Sequence, residues 1–237
     1  MTPYEVSLRK KLSQAAELSC TLSNWKKMAG YDSVSEESIL QALIQQIETT
    51  SQHFDDQLER YRNLSEKRRR LASESDDCIK KLTDRLWEDI SYQFRGGTVA
   101  NDLLKILCQK IHRFPLPDFP VSRRNPLHYK TVRLHEDSYA LFGQYFGWLV
   151  DLLLVVKFTP VRPPHCLEKL SEQAAQFNVL TQQVMLEAET LRKLQLTKDQ
   201  LYRQLYQSVR TAKGRLLLYK RETRPATDHF IEPSEPV

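Results

Sequence analysis

At 237 residues, with 41% hydrophobic and 27% charged side chains, the chain is long enough to bury a core and too apolar to stay unfolded. Its net charge of +5, from 35 Lys+Arg against 30 Asp+Glu, excludes the heavy cationic excess of a dedicated nucleic-acid binder. Glycine is scarce and no proline lies between Pro3 and Pro115, which excludes a β or α/β fold there, since such folds need breakers every ~8–12 residues.

The first helix is predicted to begin with Thr2 as N-cap and Pro3 at the first helical position, where its missing N–H is harmless. Tyr4, Leu8, Leu12, Ala15, Leu18, Leu22, Trp25 and Met28 then recur at steps of three and four, the stripe of an amphipathic helix. Gly30 supplies a left-handed stop. Ser33 and Glu36 form a capping box that opens the next helix.

From Leu40 through Leu43, Ile47, Phe54, Leu58, Tyr61, Leu64 and Leu71 to Ile79, Leu82, Leu86, Ile90 and Phe94 the mean apolar step is about 3.5, the coiled-coil period. The register weakens over SEKRRRLASESDD (65–77), where Arg68 and Ser75 take seam positions. That stretch is either a polar layer in one helix or a bend between two. The register is read as one helix over 34–94, about 90 Å long at ~1.5 Å per residue, ended by Gly96 and Gly97.

A shorter helix is predicted near 100–113, on Leu103, Leu104, Leu107 and Ile111. FPLPDFPVSRRNP (114–126) must be an irregular connector, with Pro115, Pro117, Pro120 and Pro126. LHYKTVRL (127–134) reads as a short strand or extended arm. The apolar run 139–158 is long enough to cross a bilayer and holds a G-x-x-x-G pair, Gly143 and Gly147. Against a span, its eleven Leu, Val and Phe residues contribute about −3 to −7 kcal/mol and Asp151 alone returns about +3. With Gln144, two glycines and two tyrosines also inside, insertion comes out near zero. A soluble-core plug is the expectation.

The last long helix is predicted from Pro164 to about Glu222, striped by Leu167, Leu170, Ala174, Phe177, Leu180, Val184, Leu191, Leu201, Leu205, Val209, Ala212 and Leu216. TKDQ (197–200) resembles a weak capping box that marks a kink. The tail 225–237, with three prolines and a local charge of −3, is predicted disordered.

Two helical segments of similar length around a proline-bounded middle predict an all-α fold. The expected form is an elongated antiparallel helical hairpin, coiled-coil-like, with a compact, mostly helical head between the two long arms. Its parts are the first helix and arm (1–97), the head with the buried apolar segment (98–163), the second arm (164–224) and the tail (225–237).

Chemistry is harder to find. His165 and Cys166 are sequence neighbours with no orienting group, and no H-x-x-x-H, C-x-x-C, G-x-G-x-x-G, P-loop or G-x-S-x-G pattern is present. Convergence of His128 and His135 with Cys108 or Cys166 in the head is the only metal geometry to look for. No catalytic residue, cofactor or metal is therefore expected. MTPYEVSLRKKLSQ lacks a secretory h-region and the four cysteines are dispersed, so a cytoplasmic location with reduced thiols follows.

Two basic clusters remain as candidate phosphate or partner contacts. The first is Arg60, Arg62, Lys67, Arg68, Arg69 and Arg70; the second is Arg203, Arg210, Lys213, Arg215, Lys220, Arg221 and Arg224. The leading expectation is a non-enzymatic helical scaffold, adaptor or assembly subunit contacting a protein partner or a second copy. The alternative is a basic helical subunit that binds the RNA or DNA backbone through these clusters. A membrane span is not expected.

Overall fold

The structure, a computed structural model, describes residues 3–29, 34–93, 98–119, 129–159 and 167–222. These are 91% helical, with no strand among the described residues, so the fold is all-α. Six α-helices follow in order: α1 (Pro3–Ala29), α2 (Val34–Arg69), α3 (Ile79–Gln93), α4 (Val99–His112), α5 (Tyr129–Val155) and α6 (Leu167–Glu222). Thr2, Gly30, Ser33, Gly96, Gly97 and the tail 225–237 lie outside the described residues.

The continuous helix expected over 34–94 is broken. After α2 a π-helical turn, Arg70–Glu74, ends with the Ser75 N–H donating to the Arg70 carbonyl at 3.0 Å. Ser75 is extended (φ −76°, ψ 163°) and α3 starts only at Ile79. The local sequence explains the break. Ser75, Asp76 and Asp77 compete for backbone hydrogen bonds and favour turns over helix interiors. Asp76 also accepts from Lys81 at 3.0 Å, while Cys78 and Ile79 are buried.

Two further expectations change, and a third holds. The 129–134 part of the anticipated strand is the first turns of α5. Its apolar positions continue at helical spacing into the run that follows, so tertiary burial overrides the β-branched local composition. TKDQ is interior to α6, which has no end there. The 100–113 helix is α4, opened by Thr98, whose hydroxyl accepts from the Asn101 N–H at 3.3 Å.

The chain divides into two compact units, Pro3–Ser51 with Leu196–Val237, and Gln52–Gln195. In the first, Leu8, Ala15, Leu18 and Leu22 of α1 bury against Leu40 and Ile47 of α2 and Leu201, Leu205, Ala212 and Leu216 of α6. The edge-on contact of Trp25 with Tyr219 (5.9 Å) and the approach of Lys11 to the Tyr206 ring (5.8 Å) show α1 running parallel to this part of α6.

In the second unit the main core joins α3, α4, α5 and the start of α6. Ile79, Leu82, Leu86 and Ile90 meet Leu104 and Ile111, then Tyr139, Phe142, Phe146, Leu149 and Leu153, then Leu170 and Phe177. A smaller cluster joins Phe54 and Tyr61 of α2, Val132 of α5, and Val184, Ala188 and Leu191 of α6.

α5 therefore carries the apolar run, packed on one face rather than on most sides. Its best window has a mean hydropathy of 1.3 and is 39% buried. Asp151 sits on the exposed face. The helix ends in a Schellman motif, with the Phe158 N–H donating to Leu153 O and the Lys157 N–H to Leu154 O. Lys157 takes the left-handed residue at φ 52°. Phe158 packs down beside Leu153, the hydrophobic contact this motif favours.

One test follows here. With one face committed to protein packing, the wild-type chain is expected to stay in the soluble fraction after a carbonate wash. Asp151→Leu, which removes about 3 kcal/mol of insertion cost, should shift part of it to membranes. Wild-type protein that needs detergent for extraction would contradict this packing.

Candidate functional site

The first basic cluster does not act as one surface. Arg68, read as a candidate contact, is 0% exposed and lies inside the second unit. It is withdrawn from any phosphate or partner by an internal carboxylate. Its Nη1 donates to Glu136 Oε2 at 2.5 Å and its Nη2 to Oε1 at 3.2 Å, while its guanidinium stacks 4.0 Å from the Tyr139 ring centroid. This bidentate fork, over an aromatic face, suits arginine and not lysine.

Glu136 Oε1 also accepts from the Tyr61 hydroxyl at 2.9 Å and from His135 Nδ1 at 2.8 Å. Because Nδ1 must carry the proton to donate there, its 3.5 Å approach to Arg68 Nη2 is a donor–donor contact, not a bond.

These contacts set the protonation states. Burial alone would raise the Glu136 pKa, but hydrogen bonds from His135 and Arg68 and the Arg68 charge outweigh it and hold the carboxyl below its ordinary value. Burial, reinforced by Glu136, pushes the Tyr61 phenol far up, so it stays a donor. Burial also pushes the Cys108 thiol up to about 12, which leaves it an apolar core group at neutral pH. The cluster is thus a buried lock between α2 and α5, in which Arg68 Nε alone of the guanidinium nitrogens lacks a hydrogen-bond partner among the described residues.

Beside the lock is a cavity of about 360 Å³ lined by Arg62, Ser65, Arg69, Phe119, His135 and Tyr139, with Glu66 and Glu74. Of the remaining cations of the first cluster, Arg62 and Arg69 line it. Arg69 pairs with Glu74 (2.8 Å) and Asp118 (3.3 Å), Arg70 with Glu66 (2.5 Å), and the Arg62 guanidinium lies 5.6 Å from the Phe119 ring. Arg60 and Lys67 are exposed. The lining charges Arg62, Arg69, Glu66 and Glu74 cancel, so this wall offers phosphate little net attraction.

The second cluster is different. Arg203, Arg210, Lys213 and Lys220 are all exposed on α6, with Lys220 stacking 5.0 Å from the Trp25 ring. Arg215 is engaged by Glu36 of α2. The side chains of Arg221 and Arg224 lie outside the described residues.

His128, His165 and Cys166 also lie outside them, and Cys108, on α4, is buried in the main core of the second unit, whereas His135 is bonded to Glu136. Among the described residues no group of three or more His, Cys, Asp or Glu could hold a metal.

Two features escaped the sequence. The Arg68–Glu136 pair joins residues 68 apart, although Val132, His135, Glu136 and Tyr139 share a helical face that a helix reading of 127–134 would have exposed. The other is the outer face of α5. Leu134 (68% exposed), Leu141 (39%), Trp148 (53%) and Val155 (77%) form a row at heptad spacing. Asp137, Gln144 and Asp151 form the row beside it, and all seven residues fall within an arc of about 100° at ~3.6 residues per turn.

Comparison with known proteins finds no matching family model, no similar curated protein and no similar solved structure.

Proposed function

We propose that the chain is a non-enzymatic scaffold or assembly subunit that works through helix–helix contacts. The observation that carries this reading is the outer row of α5. A helix whose inner face is already committed to a core has no folding reason to repeat Leu134, Leu141, Trp148 and Val155 every seven residues. Large exposed apolar residues on such a row are what a partner helix needs.

Leu205, on the apolar stripe of α6, is buried in the first unit, so the assembly surface is sought on α5. The test is affinity capture of the tagged full-length chain from the cells that make it, wild type beside Leu141→Asp/Trp148→Asp. The double variant is expected to keep its helical circular dichroism and lose the co-purifying polypeptides.

The basic residues of α6 motivate the second reading, in which phosphate backbones are the ligand. Each phosphate contact contributes roughly −0.7 to −0.9 to the log–log salt slope. A scaffold predicts nucleic-acid binding that is weak, sequence-blind and lost near about 150 mM salt. Tight binding there, abolished by Arg203→Ala/Arg210→Ala/Lys213→Ala, would overturn the scaffold.

A further inference from the structure

We infer that the outer face of α5 docks the basic C-terminal part of α6 from a second copy of this chain, joining copies head to tail. The inference rests on the scaffold reading and names its partner.

The α5 face has two sides of different chemistry. The apolar row ends on Trp148 and Val155, and the neighbouring row is acidic and polar, Asp137, Gln144 and Asp151. Asp137 is weakly held by Arg133 at 3.7 Å, and Asp151 has no ion pair among the described residues. A complementary helix needs apolar or amphipathic side chains at heptad spacing, flanked by cations that reach these carboxylates.

α6 presents such a face. Arg203, Arg210 and Leu217 stand seven residues apart, and Tyr206, Lys213 and Lys220 repeat at the same interval in the adjacent row. All six are exposed. The core side of this part of α6 carries Leu201, Leu205, Ala212 and Leu216 in the first unit, and at the edge of the outward face Lys220 lies over Trp25 of α1 and Tyr206 near Lys11 of α1. Tyr206 and Leu217 supply the apolar contacts, and the arginine stems and guanidinium planes can lie over the Trp148 ring while their charges meet Asp137 and Asp151.

Length agrees as well. At about 1.5 Å per residue the α5 row from 134 to 155 spans about 32 Å and the α6 row from 203 to 220 about 26 Å. The surfaces differ, so the contact is heterologous. Each copy keeps one unused half, and association continues beyond a dimer unless a ring closes.

The experiment is sedimentation velocity on the full chain, followed by complementation. Wild-type protein should show an average mass rising above 27.8 kDa with concentration, in the micromolar range expected of a small interface, and falling back with added salt. Leu141→Asp/Trp148→Asp blocks the α5 half, and Arg210→Glu/Lys213→Glu blocks the α6 half. Each alone should weaken self-association by at least about tenfold.

Mixed, the two variants retain one intact half each and should form a 1:1 complex that grows no further. That recovery also proves both variants folded. A wild-type chain that stays at monomer mass, a variant that associates like wild type, or a mixture that stays monomeric would each overturn the head-to-tail contact. If such a chain nevertheless loses its captured partners in the α5 variant, the scaffold reading stands and only the occupant is wrong.

Discussion

Arg68→Met should lower the stability of the Gln52–Gln195 unit by about 3–5 kcal/mol, a large fraction of what a domain possesses. The substitution leaves the Glu136 carboxylate buried with only Tyr61 and His135 to satisfy it. At roughly 2–4 °C per kcal/mol for a unit of this size, the melting temperature should fall on the order of 10 °C. Arg68→Met combined with Glu136→Leu removes both charges and should recover most of the loss, since a buried pair is often replaceable by apolar residues of similar volume.

The pH dependence has a definite sign. Glu136 has a folded pKa below its unfolded one, so its contribution is complete above the ordinary carboxylate range. It is lost as pH falls through the lower, folded value. Wild-type stability should therefore drop on acidification, and the double variant should lose part of that slope. Urea titrations followed by circular dichroism, at neutral pH and in the acid range, measure both effects. A single variant as stable as wild type would mean that Arg68 is solvated.

How much of this was legible in the sequence depends on what carried each signal. Helix existence came from periodicity, which is local, and α1, α4 and α6 follow from the spacing of Leu8–Leu22, Leu104–Ile111 and Leu170–Leu216. The break after α2 was harder. The apolar register resumes in phase at Ile79, so the pattern could not distinguish a polar layer from an interruption. The decisive local fact was the composition SESDD, whose side chains compete with the helix backbone.

The first turns of α5 were missed because Tyr, Thr and Val outweighed a helical face only four residues deep. That error hid the site, because the partner of Arg68 sits there. An arginine on a seam was readable as an anomaly, but its resolution required a contact across 68 positions that no local pattern encodes. The outer row of α5 was hidden for another reason. Within 139–158 nearly every position is apolar, so the period that separates two faces is masked until burial shows which face is used.

The packing of that inner face yields the other large effect, with Phe142→Ala expected to destabilise by about 3–5 kcal/mol. Phe142 is fully buried, edge-on to Phe114 at 5.7 Å and to Phe177 at 5.5 Å, so it joins α5 to the segment after α4 and to the start of α6. Gly143 beside it makes the geometry testable from the opposite direction. A Cβ there would meet Phe177 Cε1 at 3.0 Å and Asn178 Oδ1 at 3.1 Å, so Gly143→Ala must displace the fully buried Phe177 ring, which Phe142 also contacts, costing about 1–3 kcal/mol.

Gly147, one helical turn on, has nothing within 4 Å of the same position. There alanine should stabilise by up to about 1 kcal/mol through helix propensity alone. The pair thus separates two uses of one G-x-x-x-G spacing. If both glycines served the approach of another transmembrane helix, both alanines would be harmful together. Opposite signs in denaturant unfolding are expected, because only Gly143 faces α6.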